Sequence, residues 1–390
     1  MTDNLQSGIW SFPIPIHYGP GSIKQLGEIV RAGGMSRPLI VSDSGTADLP
    51  FLRVIMANLK ANGLEPHLFS NFSPNPTDTE CDLGGQAFRE HNCDSVIAIG
   101  GGSSMDAGKG IGLIAHKNRE HFWAFDTEAE PIPLEQAGPF APLICVPTTS
   151  GTGAETEATG IVTNTTNHEK RCVYHPDYHP VAAILDAELT IGLPQNLTAW
   201  TGMDAIVHAI EAYLVPAYHP LCDGAALQAL ELMAPAIKRV YHDGTDLAAR
   251  HAMIVGSCLA GIAFLKGLGL VHATSHMVGG LHDTQHGLTN AVVLPAALRH
   301  NHPAIEDKAA VMARICGAET HDFDGFYNWV LDLLAEFDIP HSLGELGVKV
   351  EEADQLALMM THDGCLPTNP LPLDQAQCKE FVLAAIENTW

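Results

Sequence analysis

Basic residues are scarce in this chain. Among 390 residues there are 20 Lys and Arg against 45 Asp and Glu, giving a formal net charge of −25. That scarcity excludes nucleic acid or an anionic membrane as partner, because nothing would neutralise an extended track of phosphates. Paired cysteines are absent too. The nine cysteines are scattered with no C-x-x-C, which excludes a zinc knuckle or a thioredoxin-type pair and fits a reducing cytoplasm. No uncharged apolar run reaches the roughly 18–20 residues of a membrane span; Lys266 breaks the stretch GIAFLKGLGLV. The opening MTDNLQSGIWSFPIPIHYGPG starts acidic and soon meets prolines, unlike a signal peptide. There is no internal repeat or low-complexity tract. What is present is 46% hydrophobic and 17% charged residues, the composition of a soluble globular enzyme. The length exceeds that at which single cores stop growing, so two domains are expected.

The texture of the chain divides it. Short apolar runs at Pro38–Asp43, Pro66–Phe72, Ser95–Gly100 and Leu143–Thr148 alternate with amphipathic segments at Phe51–Asn62, Thr77–Asn92 and Ser103–Ala115. That rhythm predicts an α/β domain with a mostly parallel sheet covered by helices. Two more strands are expected at Lys170–Tyr174 and Val181–Leu185. After Asp186, strand-like runs nearly vanish. Apolar residues recur at three- and four-residue spacing through Thr198–Leu214, Gly224–Tyr241 and Leu247–Phe264. The expectation is an α/β, Rossmann-like dinucleotide-binding domain over 1–190 and an all-α domain over 191–390.

One segment of the first half, SVIAIGGGSSMDAGKGIGLI, runs a buried-type strand into Gly100, Gly101 and Gly102, after which Ser103 and Ser104 open a helix. Glycines allow close backbone approach, and a helix start offers unpaired N–H groups to an anion. Ser103 is also a candidate cap. The spacing is neither G-x-G-x-x-G nor a Walker A loop, so a plain strand-to-helix turn remains open. Asp43, ending an early strand, suits ribose hydroxyls and would repel a 2′-phosphate; a helix-capping aspartate is the bland alternative. A third loop, Pro147–Gly153, carries Thr148 and Thr149, which suit cofactor contacts or an ordinary polar loop.

The second half concentrates histidine. His272, His276, His282 and His286 share fifteen residues, where 21 His in 390 would put about 0.8. Asp204 and His208, four apart, stack on one helix face. A carboxylate and two or three imidazoles can hold a divalent transition metal, but spacing leaves the four later histidines undecided. Glu211, seven residues after Asp204, lies near the same face, either supporting a ligand or solvated.

Together these segments resemble the iron-containing (group III) alcohol dehydrogenase family, relatives of glycerol dehydrogenase and dehydroquinate synthase. The resemblance runs from about residue 10 to about 375 and rests on GGGSSMDAGK (100–109), PTTSGTGAE (147–155), LDAELTIGLP (185–194), TGMDAIVHAIEAY (201–213) and VHATSHMVGGLHDTQHGLTNAVVLP (271–295). It implies a dehydroquinate synthase-like fold, with Asp204, His208, His272 and His286 as metal ligands and His276 just outside them. It also implies NAD as cofactor, with Gly100–Ser103 at the pyrophosphate and Asp43 by the adenosine ribose. Asp106, Thr148, Thr149 and Lys170 complete the implied cofactor contacts. The metal it implies is Fe2+, although the ligand set suits Zn2+ equally, and relatives form dimers or larger homo-oligomers. Two departures stand out: Gln285 replaces a usual proline before the last ligand, and His282 a frequent aromatic.

The implied chemistry is hydride transfer between an alcohol or aldehyde and nicotinamide at a metal in an interdomain cleft, with His276 relaying the proton. The alternatives are a hydroxy-acid or polyol dehydrogenase on the same fold, or a lyase or cyclase of the dehydroquinate synthase type. The lyase needs a cationic phosphate pocket, and none of Lys238, Arg239, Arg250, Lys266 and Arg299 adjoins a ligand.

Overall fold

The computed structural model describes residues 12, 14–116, 119–127, 129–130, 132–167 and 169–389. Its strands are Ile16–Tyr18 (β1), Pro38–Val41 (β2), His67–Phe69 (β3), Ser95–Gly100 (β4), Leu143–Pro147 (β5), Gly160–Thr163 (β6), Lys170–Val173 (β7) and Ala182–Leu185 (β8). Six of them form one sheet in the order β1-β8-β5-β4-β2-β3, with every neighbour parallel. β2, β4, β5 and β8 are buried along their whole length, as a sheet covered on both faces requires. The sequence reading missed the three-residue β1 and also β6, which are too short to carry a period. β7 does not extend the main sheet. It pairs antiparallel with β6 in a separate hairpin.

Two units are distinct. One comprises Pro13–Thr149 and Gly153–Ile191; the other comprises Gly192–Trp390 with Ser150–Thr152. In the first, β3 adds to one side of β2 and β4 returns to the other side. This reversal is a topological switch point, and ligands of open α/β sheets bind beyond the carboxyl ends of strands at such a point. Asp43 and Gly100–Gly102 follow the two strands flanking it.

The second unit is helical, and among the described residues no strand follows β8. Its helices include Gln195–Leu214, Pro220–His242, Leu247–Ala263, Leu270–His282 and His286–Cys316. Two begin earlier than periodicity indicated because proline starts them: Pro194 precedes Gln195, and Pro220 opens the next helix under a His219 cap. Leu247–Lys266 is apolar and long enough to cross a membrane, but Met253, Ile254, Cys258 and Ala260 on it are buried. It is a core helix.

Candidate metal centre and cofactor loops

Three helices of the second unit carry the polar cluster. Asp204 and His208 sit one turn apart on Gln195–Leu214, His272 lies on Leu270–His282, and His286 is the first residue of His286–Cys316. One ligand-type atom from each lies within 4.8 Å of the other three. Three imidazole nitrogens face one carboxylate oxygen: Asp204 Oδ1 is 3.6 Å from His286 Nε2, 3.9 Å from His208 Nε2 and 4.0 Å from His272 Nε2.

Close helix approach makes this possible. A Cβ on Gly287 would run into the Trp200 carbonyl oxygen and stand 3.0 Å from Asp204 Cβ. Only glycine at that position lets the helix carrying His286 come down onto the helix carrying Asp204. Gln285 explains its departure from the family pattern, since its side chain accepts from Leu288 N at 2.6 Å and caps the helix.

The far sides of the rings are fixed. His272 Nδ1 is 2.6 Å from Glu211 Oε2, and Glu211 also accepts from the amides of Val271 (2.7 Å) and His272 (3.3 Å). Glu211 thus satisfies the opening donors of the helix Leu270–His282 while turning Nε2 of His272 toward Asp204. Burial pushes the Glu211 carboxyl up to about 7, against the amide donors that pull it back. His208 Nδ1 lies 3.3 Å from the Gly151 carbonyl. Gly151 reaches that place because it has no side chain; a Cβ would stand 2.9 Å from Thr201 Cβ. Burial lowers the pKa of His208, and burial with three neighbouring imidazoles holds His272 well below its ordinary value. Neutral rings with lone pairs directed inward result.

These residues fit a cation. Asn290 Nδ2 points into the cluster, 2.7 Å from Asp204 Oδ1, 3.2 Å from His272 Nε2 and 3.1 Å from His286 Nε2, while its Oδ1 is buried without a hydrogen-bond partner. A weakly positive amide therefore sits amid acceptors that would be better satisfied by a full positive charge. One carboxylate oxygen and three imidazole nitrogens suit Fe2+ or Zn2+.

His276 lies beside the cluster. Its ring stacks on His286 at 5.5 Å and meets His272 edge-on at 5.7 Å. Its Nδ1 is 2.8 Å from Asp363 Oδ2. Burial works to raise the Asp363 carboxyl, but the charge and hydrogen bond of His276 and the Cys365 donors outweigh it and leave it below the usual range. His282 faces away, 3.2 Å from Glu352 Oε2.

In the first unit the glycine cradle is present. Gly100 adopts a φ of +150°, and a Cβ there would strike Ser104 Oγ and lie 2.9 Å from Asp43 Oδ2. The helix Gly102–Ile114 starts after Gly101 with no side-chain cap. Ser103 therefore does not cap it, because the helix begins one residue earlier than expected and Ser103 already lies inside. A glycine-lined, uncapped N-terminus fits an anionic phosphate. Asp43 takes the capping role for Ser44–Ala47, accepting from Thr46 N at 2.9 Å, and it also accepts from Ser104 Oγ at 3.2 Å. Thr148 N donates to Gly100 O at 2.8 Å, tying two loops, and Thr149 adjoins Gly101. Asp106 accepts from Ile161 N at 3.1 Å, and burial raises its carboxyl to about 6. Lys170 is exposed on β7, opposite Thr163.

Sequence reasoning missed Asn290, Asp363 and the Gly151 carbonyl. Asn290 follows His286 by four residues, so helical spacing could have found it. The other two are brought in by tertiary packing alone.

Comparison with known proteins agrees with this architecture. Residues 13–187 match the family "Iron-containing alcohol dehydrogenase", and residues 198–386 match "Fe-containing alcohol dehydrogenase family, C-terminal". The chain belongs to the iron-containing alcohol dehydrogenase family and is an oxidoreductase. It is 34% identical over 361 residues to the NAD-dependent methanol dehydrogenase of Bacillus methanolicus, covering 90% of this chain and 93% of that protein. It is 35% identical over 375 residues to the 1,3-propanediol dehydrogenase of Citrobacter freundii, covering 93% and 95%. A crystal structure of a 1,3-propanediol oxidoreductase superposes with a TM-score of 0.91 at 33% identity, covering 97% of this chain and 100% of that one.

Proposed function

We propose that this chain is an NAD-dependent alcohol dehydrogenase whose divalent metal, Fe2+ in the cell and replaceable by Zn2+, is held by Asp204, His208, His272 and His286. The observation that carries the reading is the convergence of these four side chains around the Asn290 amide, in a chain of this family. When bound, the cation supplies Lewis-acid polarisation of the alcohol or carbonyl oxygen, and NAD takes up or returns hydride.

The chain's own residues prepare that chemistry. Glu211 and the Gly151 carbonyl orient His272 and His208, so little reorganisation is needed on loading. His276 receives the hydroxyl proton, with Asp363 accepting from Nδ1 and leaving Nε2 as the exchanging atom. The backbone of Gly100, Gly101, Gly102 and Ser103 holds the pyrophosphate. Asp43 meets the adenosine ribose, and Asp106, Thr148, Thr149 and Lys170 complete the cofactor contacts. Asp43 favours NAD over NADP through repulsion of a 2′-phosphate.

A lyase reading is disfavoured by the cations it would need. Lys238 pairs with Glu336, Arg239 with Asp246, Lys266 with Asp223 and Arg299 with Asp324, while Arg250 bonds Thr198 and Gly244. Nine scattered cysteines with no C-x-x-C support a reducing, cytoplasmic setting, and a homo-oligomer completes the proposal. The substrate is a small alcohol or its aldehyde. Relatives acting on methanol and on 1,3-propanediol are similar to this chain to nearly the same degree, so identity does not choose between them. The test is NADH formation by anaerobically prepared protein over a panel of short alcohols and diols, with metal analysis and reconstitution. Turnover restored by zinc alone would sink the iron assignment, and no NADH with any alcohol would sink the activity.

A further inference from the structure

We propose that His276, Asp363 and Cys365 form a second cation site, selective for Zn2+ and related soft divalent ions, and that filling it silences His276. One ligand-type atom from each of the three lies within 4.8 Å of the other two. The site joins the helix Leu270–His282 to the turn after Ala353–Met360. Its geometry is set by Asp363, whose Oδ1 accepts from Cys365 N at 2.8 Å while Oδ2 lies 2.8 Å from His276 Nδ1. Carboxylate, imidazole and thiol are thereby gathered in one place. All three residues are only partly buried, so an ion can reach them from solvent.

The donor sets of the two clusters differ in kind. The first has one oxygen and three nitrogens; the second contains sulfur. A thiolate favours Zn2+ over Fe2+ beyond the difference that raw affinity already gives, and on binding the Cys365 thiol releases its proton to solvent. The stacking of His276 on His286 puts the second site directly beside the first. An ion there would occupy the imidazole that the proposed reaction uses for proton transfer. The silencing rests on that reading; the binding does not.

Co2+ is the probe, because thiolate ligation gives a charge-transfer band in the near ultraviolet that the sulfur-free first site cannot produce. The expected result is a band in the wild-type protein, its loss in Cys365→Ser and in Asp363→Asn, and its retention in the Asp204→Ala/His208→Ala protein. Dialysis against Zn2+ should leave two metal ions per wild-type chain and one per Cys365→Ser chain. Added Zn2+ should depress turnover of the iron-loaded wild type, whereas Cys365→Ser should keep its basal activity and lose that sensitivity. A wild type without the band, a band that survives Cys365→Ser, or equal zinc counts in the two proteins would overturn the proposal. Persistence of the band in the Asp204→Ala/His208→Ala protein supports it whatever those two residues do.

Discussion

The helical cluster and the glycine loops of the α/β unit prepare for charged ligands in opposite ways. In the helical unit the candidate ligand groups are side chains drawn from three helices; buried Glu211 backs His272, buried Gly151 backs His208, and a half-buried Gln285 caps the helix that His286 opens. In the α/β unit the offered groups are backbone amides of consecutive residues after one strand, and the side chains are kept out. A cation site therefore depends on the identity of each side chain, whereas an anion site depends on local backbone shape and tolerates more variation around it.

Substitutions can break or sharpen that contrast. Asp204→Ala removes the carboxylate on which the Nε2 atoms of His208, His272 and His286 converge. Losing the cation forfeits several kcal/mol of transition-state stabilisation, so kcat/KM should fall by on the order of a thousandfold or more. Metal content and steady-state turnover check this, and a fully active, metal-loaded variant would discard the site. Glu211→Gln keeps the shape but weakens the acceptor that orients His272. Metal affinity should drop roughly 10- to 100-fold, measured by competition with a chelator.

In the α/β unit the effects should be smaller and different in kind. Asp43→Gly should raise kcat/KM for NADP relative to NAD by about tenfold, equivalent to about 1.4 kcal/mol of relieved repulsion. It should also cost roughly a few tenths of a kcal/mol of stability, because Asp43 caps the helix Ser44–Ala47 and glycine is itself tolerated at a cap. Equal preference for the two cofactors in the unaltered protein would count against the role given to Asp43.

The smallest effect concerns pH. Burial raises the Glu157 carboxyl to about 7, against the pull of Lys109. A carboxyl raised on folding binds its proton more tightly in the native state, so stability is greatest below its unfolded value near 4.5 and falls as pH rises toward 7. Glu157→Gln should flatten the change in melting temperature between those limits. An unchanged slope would mean that the charge is relieved elsewhere.

Much of this contrast was legible along the chain. β4 and its three glycines are contiguous, so the cradle could be read from SVIAIGGGSS alone. Asp204 and His208 share a helix face by spacing, and the loss of strand-like runs after Asp186 announced the helical unit. The strand β7 was expected at Lys170–Tyr174, but β6 and its antiparallel pairing with β7 were not legible, since four residues carry no long period. Ser103 was misread because a helix start shifts by a residue without altering the pattern. Choosing His272 and His286 from four histidines needed a family resemblance, and the structure supplies the reason: Gly287 lets one helix descend onto another.

The sequence by itself determined the order of elements, the glycine cradle and the presence of a carboxylate with imidazoles at helical spacing, because these depend on neighbours a few residues apart. Tertiary structure alone decided that Glu211 and the Gly151 carbonyl fix two rings, that His282 turns to Glu352, and that Asp363 and Cys365 meet His276. Those pairings join residues up to 89 positions apart in the chain, from His276 to Cys365. Only the packing of helices, set by side-chain volume and by the glycines that permit close approach, brings such residues within bonding distance.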